Sequence, residues 1–373
     1  MNILFLSVST GGGHIKAAET LKDYIMKKYA NSRCLIIDTF KYISPVIDKL
    51  IVDGYINMIN KIPFLYGRLY RLSESSKAIV NLTYGFSSLL SYRLMPLITV
   101  FEPSIIVCTH TIPLQMVSHL KKEKLISVPI VAIVTDYVSH PFWKLENVDA
   151  LIVPHEEVKD EMVRFGIPEN IIFPYGIPLS EGFVQKHDRQ EILNIFGLED
   201  KLTGLIMGGS LGIRSIRNSF EMLINTKREM QIIVVTGKNT ALKNRIENLL
   251  KQTKLSKTVR VFGYTNLVPY LMDISDFIIT KPGGMTISEA LAKELIIFLV
   301  SPIPGQEERN SHFLVRNNAA LEIKEHEDID YLLTRILDDV SKKKELQRIA
   351  RNFSRPYACH DTAVLLRRLA NFQ

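Results

Sequence analysis

Short, unbroken apolar runs recur along the chain, separated by longer stretches whose apolar residues return every three or four positions. The runs at residues 3–8, 34–37, 105–108, 130–134 and 150–153 read as strands buried on both faces. Those at residues 205–207, 232–235, 259–262, 277–280 and 296–300 repeat the theme. Strand and helix alternating in this way predict a doubly wound α/β architecture. The pattern restarts near residue 203, after a stretch rich in Pro, Gly and charge at residues 174–201 that contains Gly176-Ile177-Pro178. That stretch reads as a linker between two Rossmann-like domains, residues 1–178 and 179–350. Residues 328–372 carry a helical period, with Pro356 as the expected kink.

One region interrupts the alternation. Residues 44–101 hold no strand pattern, only amphipathic helix: Ile47, Leu50, Ile51, Tyr55, Met58, Ile59 and Ile62 fall at helical spacing. Beyond them Tyr66, Tyr70 and further aromatics interleave with Arg68, Arg71 and other cations, and acidic residues are few. Rings among headgroups and cations against anionic lipid suit a helix lying in a membrane interface. Helices that merely cover the first sheet would show the same apolar stripe. A mixture is expected, one stripe facing the sheet and another facing lipid.

Composition narrows the setting. A chain of 373 residues with 46% hydrophobic residues is long enough for two cores. The net charge of +7 points to an anionic partner, which charge alone leaves open between nucleic acid, lipid and phosphorylated substrate. Cys34, Cys108 and Cys359 are widely spaced and odd in number, as buried thiols in a reducing compartment would be. No basic leader precedes the first apolar run, and no stretch approaches a membrane span, so a soluble or peripheral protein is expected.

Three glycine clusters each follow a predicted strand and open a predicted helix. Gly11-Gly12-Gly13-His14 brings bare backbone N–H groups to a helix N-terminus, where a pyrophosphate is stabilised. It is neither the dinucleotide fingerprint nor a Walker loop. His14, at the tip of the turn, is placed to take a proton from a hydroxyl or simply to cap the helix. Gly208-Gly209-Ser210-Leu211-Gly212 is the matching loop of the second half. The third, Lys281-Pro282-Gly283-Gly284-Met285-Thr286, offers Thr286 and its neighbouring amides to phosphate, with Glu289 placed for the hydroxyls of a ribose. After one more strand, Gln306 and Glu307 on a Pro-Gly turn supply an amide and a carboxylate apt for sugar hydroxyls.

The combination of GGGH, GGS, KPGG-T-SEAL and IPGQE--N resembles the lipid glycosyltransferases that include the monogalactosyldiacylglycerol synthases and the processive diacylglycerol glucosyltransferases. It is more distantly similar to the peptidoglycan enzyme that adds N-acetylglucosamine to lipid-linked muramyl pentapeptide. The likeness implies a GT-B fold, two Rossmann-like doubly wound domains facing across a cleft. The acceptor and membrane domain would come first, with its insertion near 44–101; the donor domain would follow, and residues 351–373 would return to the first domain. Gly263 and Tyr264 would border the uracil. Gly284, Met285 and Thr286, helped by Ser210 and the Gly13 amide, would hold the pyrophosphate; Glu289 would hold the ribose, and Gln306 and Glu307 the sugar. The reaction implied is an inverting transfer of a hexose, glucose ahead of galactose, from a UDP-sugar to diacylglycerol or glycosyldiacylglycerol. It would run on an anionic membrane surface at the cytoplasmic face, with no metal, no further cofactor and no nucleic acid.

Candidate bases are His14, Asp136 and His140, the last two on the loop after the strand at residues 130–134. Tyr137 and Trp143 on the same loop are read, with Tyr66, Arg68, Tyr70 and Arg71, as the acceptor and membrane contacts. Asp328-Ile329-Asp330 spells a metal-binding pattern of another fold, but it opens a predicted helix and reads as a cap. Three rivals stand beside the main reading: a transferase of N-acetylglucosamine, a UDP-sugar epimerase, and a membrane-binding regulator without catalysis.

Overall fold

The computed structural model describes residues 1–9, 12–208, 213–252, 256–324 and 329–371. By its contacts the chain divides into two units. The first comprises Met1–Ser180, Ile303–Arg309 and Arg355–Gln373; the second comprises Glu181–Pro302 and Asn310–Ser354. The segment Ile303–Arg309, counted from sequence with the donor domain, thus makes its contacts in the first unit.

The first unit holds six parallel strands, β1 (Asn2–Ser7), β2 (Arg33–Asp38), β3 (Ile105–Cys108), β4 (Ile130–Ile133), β5 (Ala150–Ile152) and β6 (Ile172–Phe173). Their spatial order is β2-β1-β3-β4-β5-β6. Ile3, Leu4, Phe5 and Leu6 of β1 are fully buried on both sides, which is why an unbroken apolar run was required. The helices are α1 (Gly13–Lys28), α2 (Thr39–Ile43), α3 (Pro45–Lys61), α4 (Pro63–Ser75), α5 (Lys77–Ser91), α6 (Met95–Phe101), α7 (Thr111–Lys122) and α8 (Glu156–Arg164). The strandless region is therefore four α-helices and a single 3₁₀ turn at Tyr92–Leu94, and local chemistry sets the starts of two of them. Ser44 caps α3 by accepting from Ile47 N–H at 3.4 Å, with Pro45 as the first helical residue; Ser76 caps α5 in the same way through Ile79 N–H.

The last helix, Ala358–Leu369, lies against the first sheet. Its Cys359, Ala363, Leu365 and Leu366 share one core with Ile3, Phe5, Leu21, Ile25 and Ile105. Tyr24 Oη and His360 Nδ1 meet at 3.1 Å, and the Arg367 guanidinium stacks 4.5 Å from the centre of the Tyr29 ring. Pro356 breaks the helical run outright, so that Val340–Phe353 and Ala358–Leu369 are separate helices.

The second unit repeats the plan with β7 (Thr203–Met207), β8 (Gln231–Val235), β9 (Thr258–Phe262), β10 (Phe277–Thr280), β11 (Ile296–Leu299) and β12 (Leu321–Glu322), ordered β12-β11-β10-β7-β8-β9 and all parallel. Its core gathers Ile206, Phe220, Ile232, Val234 and Leu333 around Phe277 and Phe298, whose rings meet edge to face at 5.6 Å. The stretch read as a linker is partly helical, at Glu181–Val184 and Arg189–Phe196; Asp188 caps the second of these and Gly197 ends it. Among the described residues no helix is long and apolar enough to cross a membrane.

Leu366 is fully buried, whereas Val364 on the same helix is half exposed. Leu366→Ala is expected to cost the first unit about 2–5 kcal/mol and Val364→Ala under about 0.5 kcal/mol. Urea unfolding followed by circular dichroism measures both, and equal effects would show that the helix does not close this core.

Candidate active site

In each sheet the strand order reverses once, between β1 and β3 and between β7 and β10, and ligands of such sheets sit beyond the carboxyl ends at that gap. In the first unit the gap is lined by the residues that follow β1, β3 and β4. Thr109 Oγ1 donates to Ser7 Oγ at 2.8 Å, tying the two strand ends together. Gly12, in the left-handed region at φ 77°, starts α1 without any side-chain cap, and His14 follows in the first turn. The His14 ring stands edge to face with His110, 4.9 Å between centroids, and its Nδ1 lies 2.9 Å from Thr135 Oγ1. His110 caps α7, its Nδ1 accepting from Ile112 N–H at 3.2 Å. Burial pushes the His14 pKa below its usual value, against the opposing pull of the Asp136 carboxylate and the Thr109 backbone. Burial, and then His14 itself, holds His110 well below that value. Both imidazoles are therefore neutral near pH 7, and a neutral imidazole accepts protons.

Asp136 accepts a hydrogen bond from Gln306 Nε2. The amide singled out for sugar binding thus touches the carboxylate singled out as a base, 170 residues away in sequence. The turn that presents Gln306 is held by its own acids: Glu307 Oε2 accepts from Ile303 N–H at 2.8 Å, and Glu308 Oε2 from Gly305 N–H at 3.3 Å. One oxygen of Glu307 is thereby committed to shaping the turn.

His140 proves to be a different kind of residue from His14. It caps the single 3₁₀ turn Pro141–Trp143, Nδ1 accepting from Phe142 N–H at 3.2 Å. Ser73 Oγ donates to Tyr70 O at 2.6 Å and stands 3.0 Å from His140 Nε2, so Nε2 carries the proton and donates to Ser73. Burial first, and the Arg309 guanidinium second, lower its pKa to about 4. Both nitrogens of His140 are thus engaged, Nδ1 in the cap and Nε2 toward Ser73. Tyr137 and Trp143 are 2% and 6% exposed, so their rings fill the core and offer no shelf to an acyl chain. Tyr70 also departs from the expected lipid contact. Its ring lies 5.1 Å from His140, burial raises its pKa, and Tyr66 and Phe142 extend the aromatic row on either side. Arg71 reaches Glu308 at 3.5 Å, while Arg68 is exposed.

Arg309 was not legible as a site residue. Its guanidinium pairs with Glu74, binds Glu161 Oε1 at 2.5 Å and donates to Ser139 O at 3.1 Å, while Glu161 Oε2 accepts from Ser139 N–H at 3.0 Å. No local pattern announces partners so distant in sequence.

In the second unit the loop after β7, with Ser210, lies outside the described residues. After β10, Gly283 N–H turns back to Lys281 O at 2.8 Å, and the fully buried Asn310 donates from Nδ2 to Pro282 O at 3.0 Å. The helix Gly284–Ala292 follows with no side-chain cap. Its first internal bond runs from Ile287 N–H to Gly283 O at 3.0 Å, so the amides of Gly284, Met285 and Thr286 precede that bond at the positive end of the helix. Thr286 and Glu289, one turn apart, share a half-buried face, while Gly284, Ile287, Ser288 and Leu291 are buried. Gly263 and Tyr264 sit beside the loop after β8; Tyr264 is 69% exposed, with the Lys238 ammonium 5.8 Å from its ring centre. Asp328 of the D-x-D pattern lies outside the described residues, and Asp330 accepts from Lys227 N–H at 3.1 Å.

Comparison with known proteins agrees with both halves. Residues 14–179 match the family described as monogalactosyldiacylglycerol (MGDG) synthase, and residues 203–361 match the glycosyltransferase family 28 C-terminal domain. A processive diacylglycerol β-glucosyltransferase of Bacillus mycoides is 31% identical over 361 residues, 95% of this chain and 90% of that protein. Among solved structures, MurG of Acinetobacter baumannii aligns with TM-score 0.59 at 15% identity, covering 98% of this chain and 99% of its own. A UDP-GlcNAc 2-epimerase of Neisseria meningitidis aligns with TM-score 0.58 at 14% identity, covering 98% and 100%. These two likenesses show the fold, which is of GT-B type, and nothing finer.

The buried histidines make stability depend on acid. In the unfolded chain an imidazole protonates near pH 6.5, whereas His140 in the fold resists until about 4. The fold's advantage is complete above pH 6.5 and drains away as pH falls toward 4, by up to about 3 kcal/mol for His140. Thermal melts between pH 7 and 4.5 are expected to fall less steeply for His140→Asn, whose amide oxygen can still cap the turn; parallel slopes would remove His140 from that balance.

Proposed function

The chain belongs to the diacylglycerol glycosyltransferase family, and from that premise we propose that it moves a hexose, glucose ahead of galactose, from a UDP-sugar to the free hydroxyl of diacylglycerol. The observation that carries this reading is the bond between Gln306 and Asp136 beside His14: a sugar-binding amide, a carboxylate and a neutral imidazole in one small region.

In the proposed reaction the lipid hydroxyl attacks the anomeric carbon from the side opposite the diphosphate. The new carbon–oxygen bond forms as the bond to phosphate breaks, so the sugar inverts and UDP leaves with the electron pair. His14 takes the hydroxyl proton. The Asp136 carboxylate favours the imidazolium that results, as its pull on the His14 pKa indicates. The diphosphate charge is met by the amides of Gly284, Met285 and Thr286, and Glu289 on the same helix takes the ribose. On this reading no metal and no further cofactor take part.

The acceptor dissolves only in lipid, and the helical region at 44–101 offers a surface for it. Leu65, Leu69 and Leu72 of α4 and Leu82, Phe86 and Leu89 of α5 are all exposed, with Arg68 among them. Apolar side chains with a cation suit an anionic bilayer, which we take to be the cytoplasmic face of the cell membrane.

A panel of labelled UDP-sugars, presented with diacylglycerol vesicles and resolved by chromatography, tests the assignment. Glucosyldiacylglycerol from UDP-glucose is the expected product; preference for UDP-N-acetylglucosamine, or a sugar isomer formed without acceptor, would overturn it. Replacing His14 with Ala is expected to slow turnover by about 10²–10⁴-fold. Because burial lowers the His14 pKa, the wild-type rate is expected to fall on the acid side only below pH 6.5. A near-normal rate for His14→Ala would move the proton to Asp136 or His140.

A further inference from the structure

Helix α4 carries two different stripes. Gly67, Tyr70, Arg71 and Glu74 recur at helical spacing, and each meets the segment that bears Gln306 and Glu307. A Cβ on Gly67 would come within 2.5 Å of Pro304 Cβ, so only a bare backbone fits there. Gly305, in the left-handed region at φ 99°, has room for nothing larger: its Cβ would stand 2.9 Å from Tyr70 Cγ. Arg71 pairs with Glu308, and Glu74 with Arg309. The opposite stripe, Leu65, Arg68, Leu69 and Leu72, is exposed. One helix therefore presents apolar side chains outward and grips the sugar-binding turn inward.

Arg309 fastens that grip. Its one guanidinium joins Glu74 of α4, Glu161 of α8 and the carbonyl of Ser139, three residues before which stands Asp136. Without it two half-buried carboxylates would face each other uncompensated. The clamp makes no use of Arg309 as a proton donor or ligand; it sets where the first turn of the helix Gln306–Arg316 lies.

We infer that Arg309 is a positioning residue for the donor sugar, coupling Gln306 and Glu307 to α4 so that contact with the hexose answers to how α4 is seated on lipid. This rests on the function proposed above, in which Gln306 and Glu307 meet the hexose and the outer stripe meets the membrane.

The experiment uses the whole chain and calorimetric titration with UDP-glucose and with UDP. Each is measured with and without phosphatidylglycerol–phosphatidylcholine vesicles that contain no diacylglycerol. For the wild type, vesicles are expected to tighten UDP-glucose binding by about fivefold or more and leave UDP unchanged. Arg309→Gln is expected to weaken UDP-glucose by about tenfold and abolish the vesicle response, while UDP affinity and vesicle binding stay as they were. Arg309→Lys is expected to recover part of both losses. Glu74→Gln, which keeps an acceptor in place, serves where Arg309→Gln does not fold, and is expected to lose the vesicle response. Gln306→Ala separates the two layers. If it leaves UDP-glucose affinity intact, the assignment of the sugar site falls. If it weakens that affinity while Arg309→Gln and Glu74→Gln keep both the wild-type affinity and the vesicle response, the positioning role is overturned and the activity stands.

Discussion

The position of β1 between β2 and β3 is the constraint from which the first unit's chemistry follows. The chain leaves β1 in one direction and β3 in the other, and right-handed crossovers then send α1 and α7 to opposite faces of the sheet. Their N-termini diverge at the carboxyl edge, and the space between them admits His14, His110 and the loop that carries Asp136. The second sheet repeats the device with β7 and β10, where the turn at residues 281–283 introduces an uncapped helix. Neither arrangement needs an unusual residue until the ligand side is reached, and there glycine, histidine and amide side chains take over.

Histidine serves two distinct purposes at this edge. His110, His140 and His155 follow β3, β4 and β5, and each caps the next helical turn through Nδ1. Burial lowers the pKa of all three, which suits a cap, because an imidazole that stays neutral keeps the lone pair that the amide needs. His14 is set apart: Gly12 occupies the cap position of its helix, so its ring is not bound to the helix it begins. Its neighbours are Thr135, His110 and the charge of Asp136.

The sheets were legible because parallel strands buried on both faces must be apolar throughout, and ten of them announced themselves in that way. The two that did not, Ile172–Phe173 and Leu321–Glu322, are edge pairs too short to have a pattern. The glycine turns were legible from strand, turn and helix in succession. Burial of aromatics was not: Tyr137 and Trp143, which are buried, and Tyr70, which is half-buried, look alike in sequence to rings on a membrane surface, and only tertiary packing tells them apart. The helix Arg189–Phe196 was hidden by the charge around it, although Asp188 and Gly197 are ordinary start and stop signals. Arg309 was invisible for a deeper reason, since its partners come together only when the tertiary structure forms.

The order in which the chain is made gives the closing helix a further consequence. Ala358–Leu369 covers a sheet whose strand β1 is Asn2–Ser7, so this core lacks one wall until that distant segment has been made. Until then Ile3, Phe5 and Ile105 lack that cover, whereas every strand of the second sheet precedes the helix in the chain. Loss of that one helix therefore acts on strands made long before it.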